Sequence, residues 1–420
     1  MSINRRDFLK FSAASVAMSS LPQAKAASTN SGRVLVIGGG YAGATAAKYL
    51  RLWSAGSIEV TVVEQAAQFV SCPVSNLVLG GSKSINDLTF GYDLLKSNHG
   101  INWHHAQVST IDAALRKVHT NNGTLAYDRL IIAPGIDFIY EQLPMLQSAE
   151  AQQQIPHAWK AGQQTLNLHK QLEAMPDGGV FVMSIPKAPY RCPPGPYERV
   201  CQVAFYLTNN KPKSKIIVLD ANAEIVSKKA LFTKAWAELY PGMIDYRPNS
   251  SVMEVDVTTR TVKTEFETVQ SDVLNIIPSQ RAGKPAQMAG VVNVDKRWCE
   301  VDFLTYESKT MPNIHVIGDA VSAALPKSAH MATSQAKVCA SAIVAMMANQ
   351  TPDPAPVFAN TCYSYVSDTL AMHVANVYRY DEIKKIMVPA EGGGVSDKPS
   401  VLEGSYAKAW AQNIWSDVLT

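Results

Sequence analysis

A thiol and a carboxylate stand six residues apart in Cys192-Pro-Pro-Gly-Pro-Tyr-Glu198. A cysteine can act as a nucleophile or as half of a redox disulfide, and a nearby glutamate can move the protons that such chemistry releases. The chain has six cysteines: Cys72, Cys192, Cys201, Cys299, Cys339 and Cys362. None forms a C-x-x-C pair, which argues against a zinc ribbon or a thioredoxin-like site. No C-x-x-C-H occurs, so no c-type haem is expected on this chain, and the histidines lack metal-ligand spacing. Cys192, in its proline-rich loop, and Cys362, in Asn360-Thr-Cys-Tyr-Ser-Tyr365, have unusual surroundings. Cys201 and Cys339 fall inside predicted helices and read as core, while Cys299 is ambiguous. Cys72, in Gln68-Phe-Val-Ser-Cys-Pro-Val-Ser75, has no C-x₄-C partner. It could stay free, be a buried small hydrophobe, or carry a cofactor.

The elements that must position these groups follow from pattern. Gly179–Ile185 reads as a strand, Glu198–Leu207 as a helix and Lys215–Asp220 as a second strand. This is a βαβ unit whose loop would normally bind a nucleotide phosphate through glycines and free N–H groups. Pro186, Pro189, Pro193, Pro194 and Pro196 fill that loop instead, and proline has no N–H, so NAD(P)H is not expected here.

An earlier unit is intact. Arg33–Ile37 is a β-branched run leading into Gly38-Gly-Gly40-Tyr-Ala-Gly43, followed by the helix Ala44–Trp53 and the strand Ile58–Val63 ending at Glu64. Gly38 suits the tight turn, Gly40 the close approach of a pyrophosphate and Gly43 the helix–strand contact. Glu64 can accept hydrogen bonds from a ribose. Two later segments select a flavin. Tyr127–Gly135, ending Ala-Pro134-Gly135, resembles the segment on which flavoproteins leave their first domain. Thr310–Asp319 resembles the late flavin motif, with Gly318 and Asp319 at its end. Together these resemble the two-dinucleotide-domain flavoprotein oxidoreductases over roughly residues 32–348. The implied fold is α/β, with two Rossmann-like domains of the glutathione-reductase type and a small C-terminal α+β domain. The expected boundaries are 1–26 for a leader, 32–146 and 271–349 for the two parts of an FAD domain, 147–270 for the second domain and 350–420 for the C-terminal unit.

With 47% hydrophobic and 17% charged residues the chain is not a disordered one. Its net charge of +3 is carried by residues 1–26, where Arg5, Arg6, Lys10 and Lys25 oppose only Asp7, so charge gives no argument for nucleic acid. Asn4-Arg5-Arg6-Asp7-Phe8-Leu9-Lys10, a short apolar run and Ala24-Lys25-Ala26 resemble a twin-arginine export signal, which implies a periplasmic destination. No transmembrane segment is expected. In the C-terminal region, Leu402, Tyr406, Trp410 and Ile414 share one helix face that could dock on the body, a cytochrome or a membrane, and Glu391–Val395 reads as a turn or flexible loop.

Across nearly the whole mature chain, including Asn360-Thr-Cys362 and Leu370–Tyr378, the sequence is similar to the flavoprotein subunits of flavocytochrome c sulfide dehydrogenases. The resemblance implies FAD held by an 8α-S-cysteinyl bond to Cys72, a Cys192–Cys362 disulfide over the flavin, and Glu198 as the proton-moving group. It also implies hydrosulfide as substrate and a c-type cytochrome subunit as electron acceptor. A sulfide:quinone oxidoreductase is the nearest competing expectation. A redox-inert flavin-binding protein and an NAD(P)H-dependent disulfide reductase are the others.

Overall fold

The computed structural model describes residues 32–420, so the expected export signal and its cleavage site lie outside the described residues. Strand β1 (Arg33–Ile37) leads into helix α1 (Tyr41–Trp53), then β2 (Glu59–Glu64), β3 (Asn102–His105) and β4 (Arg129–Ile132). These strands are parallel, and β1 is buried at every position except Arg33, as a sheet covered on both faces requires. Gly38 has φ +102°, and a Cβ there would lie 2.3 Å from the Ala133 carbonyl oxygen. A Cβ on Gly43 would lie 1.8 Å from the Gly38 oxygen, so only glycine lets the helix pack this closely on the turn.

The second sheet contains β5 (Val180–Ile185), followed by α2 (Gly195–Asn210), β6 (Lys215–Asp220), α3 (Lys229–Leu239), β7 (Ile244–Arg247) and β8 (Val273–Ile276). Its strand order is β7-β6-β5-β8, all parallel. The expected boundary at residue 270 is therefore too early. β8 pairs with β5, and the four buried residues of β8 belong to the second sheet's core. A short antiparallel pair, Ile136–Phe138 with Gln280–Ala282, ties the outgoing and returning chain together. Strand β9 (Ile314–Val316) then returns to the first sheet beside β4, giving the order β9-β4-β1-β2-β3, and α4 (Ala329–Met347) packs against α1.

The C-terminal unit is an antiparallel sheet of β10 (Val357–Tyr365), β11 (Ala371–Asp381) and β12 (Ile386–Val395), closed by α5 (Val401–Leu419). The glycine run expected as a loop is the end of β12. A Cβ on Gly393 would lie 2.5 Å from the Ala375 oxygen, where the register shifts between Ala375 and Val377, so the glycines serve a bulged edge pairing. The buried face of α5 also differs from the expected stripe. Gly404, Ala407, Ala411, Ile414 and Val418 face inward, while Leu402 and Tyr406 are 60% and 51% exposed. Small residues win the inner face because the helix lies almost on backbone, a Cβ on Gly404 falling 1.9 Å from the Thr369 oxygen. The far end of the helix is pinned by Lys337–Asp417 at 2.8 Å and by the Tyr49 hydroxyl, which donates to Asp417 at 2.6 Å.

Gly404→Ala is expected to lower stability by about 3 kcal/mol, the upper end of overpacking costs. Thermal unfolding of the purified protein measures it, and an unchanged midpoint would show that α5 shifts outward freely. Among the described residues no helix is long and apolar enough to cross a membrane.

Candidate active site

A cavity of about 690 Å³ opens where the three units meet. Its wall includes Gly38, Gly40, Glu64, Cys72, Pro134 and Gly135, and on the returning chain Gly318 and Asp319. Cys192, Glu198 and Cys362 line it as well. Of the residues singled out from sequence, Gly43 alone is off this wall, one layer beneath Gly38. The volume is within the usual range for cofactor sites. Nothing lies within 4 Å of where a Cβ on Gly40 or Gly135 would project, so the backbone is bare there. Gly40 also stands at the N-terminus of α1, whose unpaired N–H groups favour an anion. Glu64 accepts from the Gly39 N–H at 2.6 Å and the Ala66 N–H at 2.7 Å, which fixes the carboxylate at the end of β2. Burial raises the Asp319 carboxyl above its ordinary pKa, and the cations Arg191 and Lys327 oppose that rise. An open glycine cradle at a helix start, beside a fixed acid and a second acid on the returning strand, fits an FAD-sized dinucleotide.

The thiol end is built differently. Cys192 sits at φ +59°, a left-handed conformation uncommon outside glycine. Its N–H donates to the Lys327 oxygen at 2.7 Å, and its own oxygen accepts from the Gly195 N–H at 2.8 Å, so the turn delivers the thiol to the start of α2. A Cβ on Gly195 would lie 2.8 Å from the Cys192 sulfur and 2.9 Å from Trp159. The loop that would hold a phosphate in a nucleotide domain thus holds sulfur against a helix N-terminus, where the dipole favours a thiolate. Burial nevertheless pushes the Cys192 thiol well up, with Cys362 and Glu198 adding to the rise and Arg191 and Lys228 opposing it. Cys192 and Cys362 are both free thiols here, half-buried on the same cavity. Cys201, Cys299 and Cys339 are buried, and the Cys201 sulfur accepts from the Trp236 indole N–H at 3.2 Å.

Glu198, in the first turn of α2, is 8% exposed. Its two oxygens accept from the Tyr365 N–H and from the Asn76 side-chain amide, each at 2.8 Å. Burial raises its pKa, and those two donors together with Lys228 and Arg199 pull the other way. Arg199 fixes the far side of this network. It donates to Asn76 Oδ1 at 3.2 Å, Asn275 Oδ1 at 3.0 Å and the carbonyls of His157 and Ala158 at 2.8 and 2.5 Å.

Sequence reasoning missed four polar contributors. Arg191 is the cation acting on Cys72, Asp319 and Cys192 together. Its place beside Cys192 was a signal that could have been used. Lys327 joins the flavin-type segment to the cysteine loop, donating to the Asp319 and Val321 oxygens at 2.8 and 2.7 Å. Asn76 and Lys228 come from distant segments with no local motif. The acid at the end of β6 is already consumed. Asp220 accepts from the hydroxyls of Tyr197 and Tyr246 at 2.8 and 2.9 Å, and from the N–H and amide of Asn222 at 2.9 and 2.8 Å.

Comparison with known proteins finds similar sequences along most of the chain. A family described as sulfide dehydrogenase [flavocytochrome c] flavoprotein chain, central, matches residues 165–278, and one described as flavocytochrome c sulphide dehydrogenase, flavin-binding, matches 354–419. Residues 32–164 match pyridine nucleotide-disulphide oxidoreductases, and residues 2–22 match the twin-arginine translocation signal, which directs export to the periplasm. The sulfide dehydrogenase [flavocytochrome c] flavoprotein chain of Chlorobaculum thiosulfatiphilum is 56% identical over 46 residues, 11% of this chain and 94% of that one. The mitochondrial sulfide:quinone oxidoreductase of Mus musculus is 24% identical over 341 residues, covering 76% of this chain and 72% of that one. Among solved structures, the sulfide:quinone oxidoreductase of Aquifex aeolicus superposes with a TM-score of 0.73 at 19% identity, covering 92% of this chain and 91% of that one.

Proposed function

The chain belongs to the flavocytochrome c sulfide dehydrogenase flavoprotein family, and from that premise we propose that it oxidises hydrosulfide at a Cys192–Cys362 disulfide beside FAD and passes the electrons to a c-type cytochrome subunit. The observation that carries this reading is the meeting of Cys192, Glu198 and Cys362 on the cavity that the glycine cradle also lines. Gly38, Gly40, Glu64, Pro134, Gly135, Gly318 and Asp319 would hold the dinucleotide, with Cys72 as its covalent tether. When bound, the flavin takes up an electron pair and releases it as single electrons.

The chain's own groups do the sulfur chemistry. Hydrosulfide attacks one sulfur of the disulfide, the S–S bond breaks, and the other sulfur leaves as thiolate. The two electrons of the new S–S bond come from the sulfide, which is thereby oxidised to the persulfide level. Glu198, held by Asn76 and Tyr365, takes the proton that remained on sulfide. Asp220 is committed to Tyr197, Tyr246 and Asn222, and the loop before α2 is filled by proline, which leaves NAD(P)H neither a ribose partner nor phosphate donors.

Anaerobic addition of sulfide to FAD-loaded protein is expected to bleach the oxidised flavin. No bleaching in intact, loaded protein would sink the enzyme reading. Peptide mapping of denatured, non-reduced protein is expected to find FAD on the Cys72 peptide and a Cys192–Cys362 link. With Cys72→Ser, FAD is expected to come free on denaturation while the native protein still binds it, since the glycine cradle is untouched. A second reading, delivery of electrons to a membrane quinone, draws on the exposed Val401, Leu402 and Tyr406 of α5. That helix bears a single lysine, Lys408, and lacks the basic polar face expected at a lipid surface. Co-purification of a c-type haem, against reduction of a soluble quinone, separates the two.

A further inference from the structure

Lys228 is a charged residue that the chemistry above leaves without a role. It precedes α3 in a left-handed conformation, φ +54°, at the helix N-cap. Its ammonium donates to the Cys362 carbonyl oxygen at 2.9 Å and to the Ser364 hydroxyl at 2.8 Å. Both partners are neutral groups of β10, the strand that carries Cys362, and no carboxylate pairs with the ammonium among the described residues. The adjacent cation, Lys229, is paired instead with Glu224 at 2.6 Å. Lys228 is not part of the cavity wall, so it reaches the Cys362 strand from the second sheet's side.

Groups that are acidic or can become anionic act on it from four segments. Cys362 of β10 bears on it most strongly, then Glu198 of α2, Cys192 of the loop and Glu403 of α5. Cys201 of α2 also feels it, and the Phe232 ring of α3 lies 5.9 Å from the ammonium. Arg199, the neighbouring buried cation, has its donors committed to Asn76, Asn275 and two carbonyls. Arg191 bears on Cys192 from its own loop, and Lys228 is the cation that reaches the sulfur pair from the β10 side.

We propose that Lys228 is a positioning residue for the thiol chemistry, clamping the Cys362 strand and supplying the standing positive charge that holds the thiolate released when hydrosulfide opens the disulfide. This rests on the sulfide-oxidising reading of the site. Atoms and electrons balance as already given: hydrosulfide bonds to one sulfur, the electron pair of the Cys192–Cys362 bond goes to the other, and Glu198 receives the proton. Lys228 gives up no proton in the step. Burial lowers its pKa to about 8, with the surrounding anions opposing that fall, so its charge is largely retained at neutral pH and lost in mildly alkaline solution.

The test uses reduced holoenzyme of wild type, Lys228→Met and Lys228→Arg, labelled with iodoacetamide at neutral pH, where Lys228 carries its charge, with the labelling rate of the Cys192 peptide quantified by mass spectrometry. In Lys228→Met the labelling rate at neutral pH is expected to fall roughly tenfold. Lys228→Arg is expected to restore the rate, which a purely structural clamp would not require. An unchanged neutral-pH labelling rate in a Lys228→Met protein of wild-type thermal stability overturns the proposal, as does failure of arginine to rescue. Sulfide bleaching of wild-type flavin is scored separately. If bleaching fails while the labelling rate still falls in Lys228→Met, the sulfide reading falls and the electrostatic role of Lys228 stands.

Discussion

Replacing Cys192 with serine is expected to slow sulfide-dependent flavin reduction by about 10³-fold or more, because serine can neither form the disulfide nor carry a persulfide. The effect should be on chemistry and not on assembly. Cys192 is half-buried on the cavity wall, and its loop is held by backbone bonds, Cys192 N–H to Lys327 and Gly195 N–H to Cys192, which serine keeps. FAD content and thermal unfolding should therefore match wild type. Cys362→Ser should give the same loss, since either half of the bond is indispensable. Cys201→Ser is the contrasting case. Its sulfur lies in the core against Trp236, and its replacement should alter stability more than rate. Stopped-flow flavin reduction under anaerobic conditions checks all three. Retained flavin reduction by sulfide in Cys192→Ser would remove the disulfide from the mechanism.

Glu198→Gln is expected to cost about 10²-fold in the same rate, the usual worth of a positioned base, and to flatten the acid side of the pH profile. The base form is the working one. Burial raises the Glu198 pKa above the ordinary 4.5, so wild-type activity should fall as pH drops through a value higher than that of an exposed glutamate. The linkage to stability runs the other way. A carboxyl whose folded pKa is raised contributes stability that is present below its unfolded pKa and lost as pH rises through the folded one. A neutral glutamine removes both dependences. It also sets an amide against either the Asn76 donor or the Tyr365 N–H, a mismatch of about 1–3 kcal/mol. The pH profile separates the two causes: a lost base flattens the acid limb, whereas a disturbed hydrogen bond lowers the whole curve and leaves its shape. An intact acid limb in Glu198→Gln would assign the proton to another group.

Local chemistry explains which parts were legible early. Glycine at 38 and 43 is forced by contacts within a few residues' reach or across adjacent strands, and the β-branched runs of β1 and β6 announce buried parallel strands. The missing phosphate loop was equally plain, because proline's lack of an N–H is a property of the residue itself. Errors arose where a packing partner decided the outcome. Leu402 and Tyr406 look like an inner stripe until α5 is laid against the Thr369 backbone, where only Gly404 and the alanines fit. The Gly392–Gly394 run looks like a loop until β11 offers it a bulged edge. The return to the first sheet comes after β8, since β8's burial depends on β5 beside it.

Roles for Cys72, Cys192, Glu198 and Cys362 came from family resemblance; the sequence by itself determined the dinucleotide frame, the loss of an NAD-type loop, the export signal and the unusual settings of Cys192 and Cys362. Each of these rests on residue type and short spacing. Only the tertiary structure decided what surrounds the sulfur. Asn76, Arg191, Lys228 and Lys327 arrive from four separate segments, and they act by charge and hydrogen bonds at close range. Such interactions depend on distance in space, which separation along the chain does not encode. The proline-rich loop that cannot bind a phosphate is thereby turned, by the fold alone, into one that holds a thiol at a helix N-terminus between buried cations.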